Sequence, residues 1–324
     1  MAHEYKQPLR LFLKLNRPDT KKGQDKEMTT IPKFRFETIV VAADFTEASP
    51  SALRYAQAIS KVHGSKLVMT HVVDPVGYAY PAGEPEVIKR DKAAHDEVQR
   101  IEDETRRHGI PVHSPSESRI ICDRILQSVI DNHADLLVLG TKAKTGAGRT
   151  ALGIVARQLL AEAPCPMLMV SPECEAHLLS AGVWRRVMIA TDFSIASLEA
   201  LGYAHRVAYE RLMVLHAEPC FEDCGQNTCM ERLRFLAPFN ESHTVPVEHV
   251  VTTGEPGRVI AEHANKFHAD LVVLGSPIDE LTDEDFCSST VLQVVSKVGC
   301  PVMCVPSTLK APVQSLIGEV AYAC

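Results

Sequence analysis

No stretch of the 324 residues approaches the ~20 consecutive apolar residues that span a bilayer, and no basic-then-apolar secretory layout opens the chain. The expectation is a cytoplasmic protein without a membrane partner. Also missing are the Gly-x-Ser-x-Gly nucleophile elbow, the Walker Gly-Lys-Ser/Thr, the zinc-protease His-Glu-x-x-His and the haem Cys-x-x-Cys-His. No catalytic residue is nominated. A net charge of -7 argues against a general polyanion-binding surface, so nucleic acid is not an expected partner. Ten cysteines without a secretory signal read as reduced thiols rather than a disulfide framework.

The chain states nearly the same pattern twice. Glu37-Thr-Ile-Val-Val-Ala-Ala-Asp44 returns in outline as Arg186-Val-Met-Ile-Ala-Thr-Asp192, each followed by Phe, a hydroxyl residue and an Ala/Leu-rich helical pattern. Each copy continues to an Ala-Asp-Leu-[Leu/Val]-Val-Leu-Gly strand (134–140 and 269–275), then a loop, a helix and a Cys-Pro strand from Cys165 or Cys300. A repeat this long is a duplicated domain, because each copy carries enough strand and helix to build a core.

The periodicity of the first copy predicts strands at Thr38–Ala43, Lys66–Val73, Val112–Ile121, Leu136–Leu139 and through Val170. It predicts helices over Ser49–Val62, about Glu84–Arg107, from Asp123 and from Gly153. The second copy predicts strands at Val187–Thr191, Leu212–Ala217, Val245–Val251, Leu271–Leu274 and Val302–Val305. Its helices run over Ser194–Ala208, around Met230, from Pro256 and from Ser288. Strands apolar on both faces and separated by helices mean a parallel sheet covered on both sides. The fold class is α/β: two doubly wound, open, parallel five-stranded sheets in tandem. The expected layout is a basic leader (1–36), a first domain (37–172), a linker (173–184), a second domain (185–307) and a tail (308–324). The leader is expected to be solvated, with Met28 just before the first strand as an alternative start.

In such sheets ligands lie beyond the carboxyl ends of the strands, where strand order reverses. Asp44 and Asp192 end the first strand of each copy, where a carboxylate accepts from a sugar or base; an Asp there also forms turns and helix caps, and both roles remain open. Gly140 and Gly275 open the loop after the fourth strand, whose N–H groups, with those of the next helix, suit phosphate.

Taken in order, Thr-Asp-Phe-Ser (191–194), His-Val-Val (71–73), Ala-Asp-Leu-Leu-Val-Leu-Gly-Thr (134–141) and Ala-Pro-Cys-Pro-Met-Leu-Met-Val (163–170) resemble the universal stress protein family across both copies. The resemblance implies a tandem, Rossmann-like stress-response module and not an efficient enzyme, with slow ATP hydrolysis the most that is expected; ATP or AMP is the candidate ligand of the first domain, and Mg2+ with the nucleotide is left open. It implies a phosphate loop of Gly, two residues, Gly, nine residues, Gly, then Ser or Thr. The first copy keeps the spacing as Gly140, Ala143, Gly153 and Ile154, losing one glycine and the hydroxyl but gaining Lys142, Lys144 and Arg149. Weak or altered binding is the expectation there, with Val72 and Val155 in the same site. The second copy keeps it as Gly275, Ile278, Ser288 and Ser289, with Asp279, Glu280, Asp283, Glu284 and Asp285 between. That acidic run either repels a triphosphate, at ~1 kcal/mol per like-charge contact near 4 Å in water, or simply faces solvent.

The resemblance also implies that the two domains meet through their final strands, so that 166–170 and 301–305 run antiparallel about an internal pseudo-twofold axis, with a homodimer of whole chains an open possibility. A rival reading is a nucleotide-independent interaction protein with a thiol or zinc site in the second copy. Its candidates are His216, Cys220, Cys224 and Cys229. Their spacing is neither Cys-x2-Cys nor a paired knuckle, so ordinary thiols are preferred to zinc. His63, His95, His108 and His263 read as surface or cap residues on helices, and Cys165 and Cys300 as packing residues.

Overall fold

A computed structural model describes residues 34–43, 49–71, 112–113, 121–141, 154–174, 184–218, 226–238, 245–276 and 290–307. Their first half runs β1 (Thr38–Ala43), α1 (Ser49–His63), β2 (Lys66–His71), β3 (Val112–His113), α2 (Ile121–Asp131), β4 (Leu136–Gly140), α3 (Ile154–Glu162) and β5 (Met167–Val170). The second runs β6 (Trp184–Ala190), α4 (Ile195–Val207), β7 (Ala208–Glu218), α5 (Gln226–Leu236), β8 (Val247–Thr253), α6 (Pro256–Phe267), β9 (Leu271–Ser276), α7 (Thr290–Val295) and β10 (Val302–Pro306). The helix expected over 84–107 lies outside the described residues, as do the leader and the tail.

Three local expectations are corrected. Ile121, taken as the end of a strand, begins α2. Trp184, taken as linker, is the first residue of β6 and is 1% exposed, because its indole is needed in the core. β7 begins at Ala208, directly at the end of α4, rather than at Leu212.

All ten strands form one sheet in the order β3-β2-β1-β4-β5-β10-β9-β6-β7-β8. Within each half the pairings are parallel. Between the halves β5 and β10 pair antiparallel, with Val302 opposite Met169, Met303 opposite Leu168 and Cys304 opposite Met167. The expected junction is therefore present, and it buries against each other the two edges that the half-sheets would expose.

Because successive strand residues point to opposite faces, the sheet sorts its apolar residues into two layers. Ile39, Val41, Leu136, Val138, Leu168, Met303, Leu271, Val187 and Leu212 lie in one, under α1, α4 and α5. Val40, Leu137, Met167, Met169, Val302, Cys304, Val272 and Met188 lie in the other, under α2, α3, α6 and α7. Each layer passes through the seam from one half to the other.

The repeated Ala-Asp-Leu segment owes its aspartate to strand alignment. Asp135 accepts from the backbone N–H groups of Glu37 (2.7 Å) and Thr38 (3.2 Å), and Asp270 accepts from that of Arg186 (2.8 Å). The residue two positions earlier, His133 or His268, takes a left-handed conformation (φ 48° and 52°) that ends α2 or α6 and turns the chain into β4 or β9.

His63 corrects a further expectation. It is 7% exposed, not a surface residue, and its Nδ1 accepts the N–H of Phe36 at 3.1 Å. Burial, reinforced by Arg35, pushes its pKa below the usual 6.5. The folded state thus takes up this proton less readily than the unfolded chain, so the contribution is complete above pH 6.5 and is lost as pH falls below it toward the folded value. Urea midpoints are expected to fall with acidification through that window, and His63→Gln is expected to flatten the dependence; equal slopes for both proteins would exclude the assignment.

Candidate functional site

Strand order reverses between β1 and β4 in the first half and between β6 and β9 in the second, which creates two equivalent crevices at the carboxyl ends of the strands. In the first, β4 delivers Gly140, paired with Val170, and the N–H of Thr141 continues the ladder to the Val170 carbonyl at 2.8 Å. Val155 sits half-buried in the first turn of α3, against the second apolar layer. Ile154 begins α3. Asp44, Val72, Lys142, Ala143 and Gly153 lie outside the described residues, as do Ser288 and Ser289 of the second half.

The second crevice is described in more detail. After β6 the chain passes through Thr191, Asp192, Phe193 and Ser194 into α4. Asp192 Oδ1 accepts the Ser194 N–H at 2.9 Å, Phe193 donates its N–H to Thr191 Oγ1 at 3.0 Å, and Ser194 Oγ caps the helix by accepting from Ser197 N at 3.3 Å. Burial pushes the Asp192 carboxyl up, but the hydrogen bonds from Ser194 and Ser197 outweigh it and hold it below the usual carboxylate range. Of the two roles open to this aspartate, the turn is the one made in these contacts.

Gly275, the counterpart of Gly140, lies in β9 where α4 crosses it. A Cβ there would sit 2.4 Å from the Ala196 carbonyl carbon and 2.5 Å from the Ser197 nitrogen. Its missing side chain serves the approach of the α4 backbone, which is a packing requirement independent of any phosphate.

Beside this turn lies a cluster that the sequence brought only half into view. His216 Nδ1 lies 2.7 Å from the Thr191 carbonyl and its Nε2 2.7 Å from Glu218 Oε1. The Cys229 thiol, from the first turn of α5, donates to the same oxygen at 3.2 Å. Both imidazole nitrogens lie within hydrogen-bond distance of oxygen atoms, which fixes the orientation of the ring. The hydrogen bond from His216, aided by that from Cys229, holds the Glu218 carboxyl below its ordinary range against the effect of burial. The Phe193 ring, at φ 64°, lies 4.4 Å from the imidazole, and the Arg232 guanidinium lies 5.7 Å from the other ring centre, that of Phe193.

The equivalent His71 makes the corresponding bond, Nδ1 to the Ala43 carbonyl at 2.8 Å. Of the four predicted metal candidates, His216 and Cys229 come together, while Cys220 and Cys224 lie outside the described residues. Glu218 was missed. The available signal was its position two residues after His216 on one strand, which puts both on the same face.

The thiols expected to be packing residues behave so. Burial pushes Cys165 up to about 12 and raises Cys300 as well. None of the six described cysteines is in a disulfide. Among the described residues no helix is long and apolar enough to cross a membrane.

A profile of the universal stress protein family matches residues 35–171 and again 184–306. A universal stress protein of Thermus aquaticus is 32% identical over 143 residues, 42% of this chain and 98% of its own length. One from Mycolicibacterium smegmatis is 26% identical over 265 residues, covering 74% of this chain and 86% of that protein. Among solved structures, a universal stress protein from Archaeoglobus fulgidus superposes with a TM-score of 0.65 at 16% identity, over 83% of this chain and 96% of that one. A Pseudomonas aeruginosa protein described as a putative universal stress protein gives 0.58 at 18% identity, over 88% and 98%. At these identities the structures support the fold.

Proposed function

Because this chain belongs to the universal stress protein family and carries its domain twice, we propose that it is a stress-response binding module whose first half takes an adenine nucleotide weakly and whose second half serves as a degenerate partner. The observation that carries the reading is the crevice between β1 and β4, onto which the Gly140 end of β4 opens. The chain leaving it holds Lys142, Lys144 and Arg149 within a glycine-bearing stretch, charge suited to an anion. The adenosine would lie toward Asp44, and the phosphates toward Gly140, Gly153 and the start of α3, with Mg2+ as their counterion. In the second half the equivalent residues carry structural contacts, Asp192 in a turn and Gly275 under α4, which supports the degenerate reading. The two halves act as an internal pseudo-dimer in the cytoplasm, with no catalytic turnover assigned.

Isothermal titration of ATP into the full chain tests this. One weak site is expected, and Asp44→Ala is expected to weaken it about tenfold, the ~1.4 kcal/mol of one hydrogen bond to a charged acceptor. Absence of heat in both proteins would leave the nucleotide-independent interaction protein as the better account.

A further inference from the structure

The cluster at the carboxyl end of β7 offers nitrogen, oxygen and sulfur to a common point. His216 Nε2, Glu218 Oε1 and Cys229 Sγ lie within 4.8 Å of one another. We propose that these three atoms form a zinc site in the second half, with the fourth position open to water or an exogenous ligand.

Four features of the geometry support it. The Thr191 carbonyl, 2.7 Å from Nδ1, fixes the imidazole so that Nε2 is the atom presented, the arrangement by which a backbone acceptor orients a metal-binding histidine. Imidazole, carboxylate and thiolate carry two negative charges in total, so a divalent ion leaves a neutral complex; borderline N/O/S donor sets suit zinc rather than calcium or magnesium. Cys229 comes from the first turn of the eleven-residue α5, an ordered element that brings its sulfur to the Glu218 carboxylate beside His216. His216 and Cys229 are buried and the Phe193 ring covers the imidazole, so water competes little for the ligands.

The present spacings also fit. Glu218 Oε1 is 2.7 Å from Nε2 and 3.2 Å from Sγ, whereas a tetrahedral zinc holds such atoms about 3.3–3.6 Å apart. An entering ion therefore has to lengthen these two contacts by less than ~1 Å and hold Nε2 and Sγ, now within 4.8 Å of one another, at about 3.6 Å, with the protons on the ligating nitrogen and sulfur released to solvent and no electron transferred. Among the described residues the first half shows no such set: His71 keeps its backbone bond, but the sequence places Val73 where Glu218 stands. The site is a property of the second copy and stands apart from the nucleotide reading.

The test uses the full chain stripped with chelator and titrated with Zn2+ against a chromophoric competitor, with Co2+ as a spectroscopic substitute. One equivalent of metal and a thiolate-to-cobalt charge-transfer band are expected. Cys229→Ser is expected to abolish the band and weaken Zn2+ on the order of 100-fold, and Glu218→Gln to weaken it at least about tenfold while keeping the band. Cys220→Ser/Cys224→Ser is expected to change neither. Far-UV circular dichroism establishes that each variant is folded, and Glu218→Gln, nearly isosteric, keeps the test valid if the cysteine variant is not. No stoichiometric binding to the wild type, a band that survives Cys229→Ser, or loss confined to the double cysteine variant would overturn the assignment.

Discussion

Gly275→Ala is expected to destabilise the protein by about 3 kcal/mol, a large effect for one methyl group. The reason is the identity of the atoms it meets: the carbonyl carbon of Ala196 at 2.4 Å and the nitrogen of Ser197 at 2.5 Å. A flexible side chain could rotate away, but these are backbone atoms of the first turn of α4. That turn is held in turn by the Ser194 cap and by the Thr191–Ser197 hydroxyl pair at 2.8 Å. Relief requires lifting α4 from β9 and opening the first apolar layer, which that helix covers through Ala200, Leu201 and Ala204. Gly299→Ala is the matched control, since nothing lies within 4 Å of its Cβ position. Urea denaturation should show a lower midpoint with an unchanged slope for the first variant and a midpoint close to wild type for the second. A neutral Gly275→Ala would show that the glycine is present for another reason.

The second large effect concerns the seam. Leu168 is fully buried in β5, opposite Met303 of β10, and contributes to a layer shared by both halves. Leu168→Ala removes three methyl-equivalents from a close-packed region with little freedom to collapse, an expected cost of about 4 kcal/mol. What distinguishes the seam from an ordinary core position is the reach of the loss. The apolar layers are continuous through β5 and β10, so the halves are expected to unfold together rather than in sequence. The single tryptophan, Trp184, reports on the start of β6 and is 1% exposed; far-UV circular dichroism reports on all helices. In wild type and variant alike, the two signals should trace one transition, shifted as a whole by the substitution. Separate transitions, with only the first-half component shifted, would mean that the halves are independently stable.

Much of the fold was legible because its information is local. Ile39–Val41 and Val187–Ile189 are apolar at every position, which states burial on both faces before any partner is known. Ser194 before the Ala/Leu run, and Pro256 after Glu255, mark helix starts through the backbone N–H groups they satisfy or omit. The candidate site was less legible for an equally physical reason. A strand-end carboxylate such as Asp192 can accept from its own turn or from a ligand, and residue type does not distinguish them. The turn contact is set by the backbone, where the left-handed Phe193 brings the Ser194 N–H to one oxygen of Asp192, Oδ1.

The amino-acid sequence by itself determined the duplication, the alternation of strand and helix, the doubly covered parallel sheets and, through the family resemblance, the antiparallel meeting of the last strands. Tertiary structure alone decided that both apolar layers cross the seam, that Gly275 makes room for a helix backbone, that Asp135 reaches back 98 residues to Glu37, and that Glu218 stands between His216 and Cys229. Periodicity records which face of an element is apolar, whereas these contacts depend on crossover register and on the depth at which one element seats on another, quantities set only when all the layers pack at once.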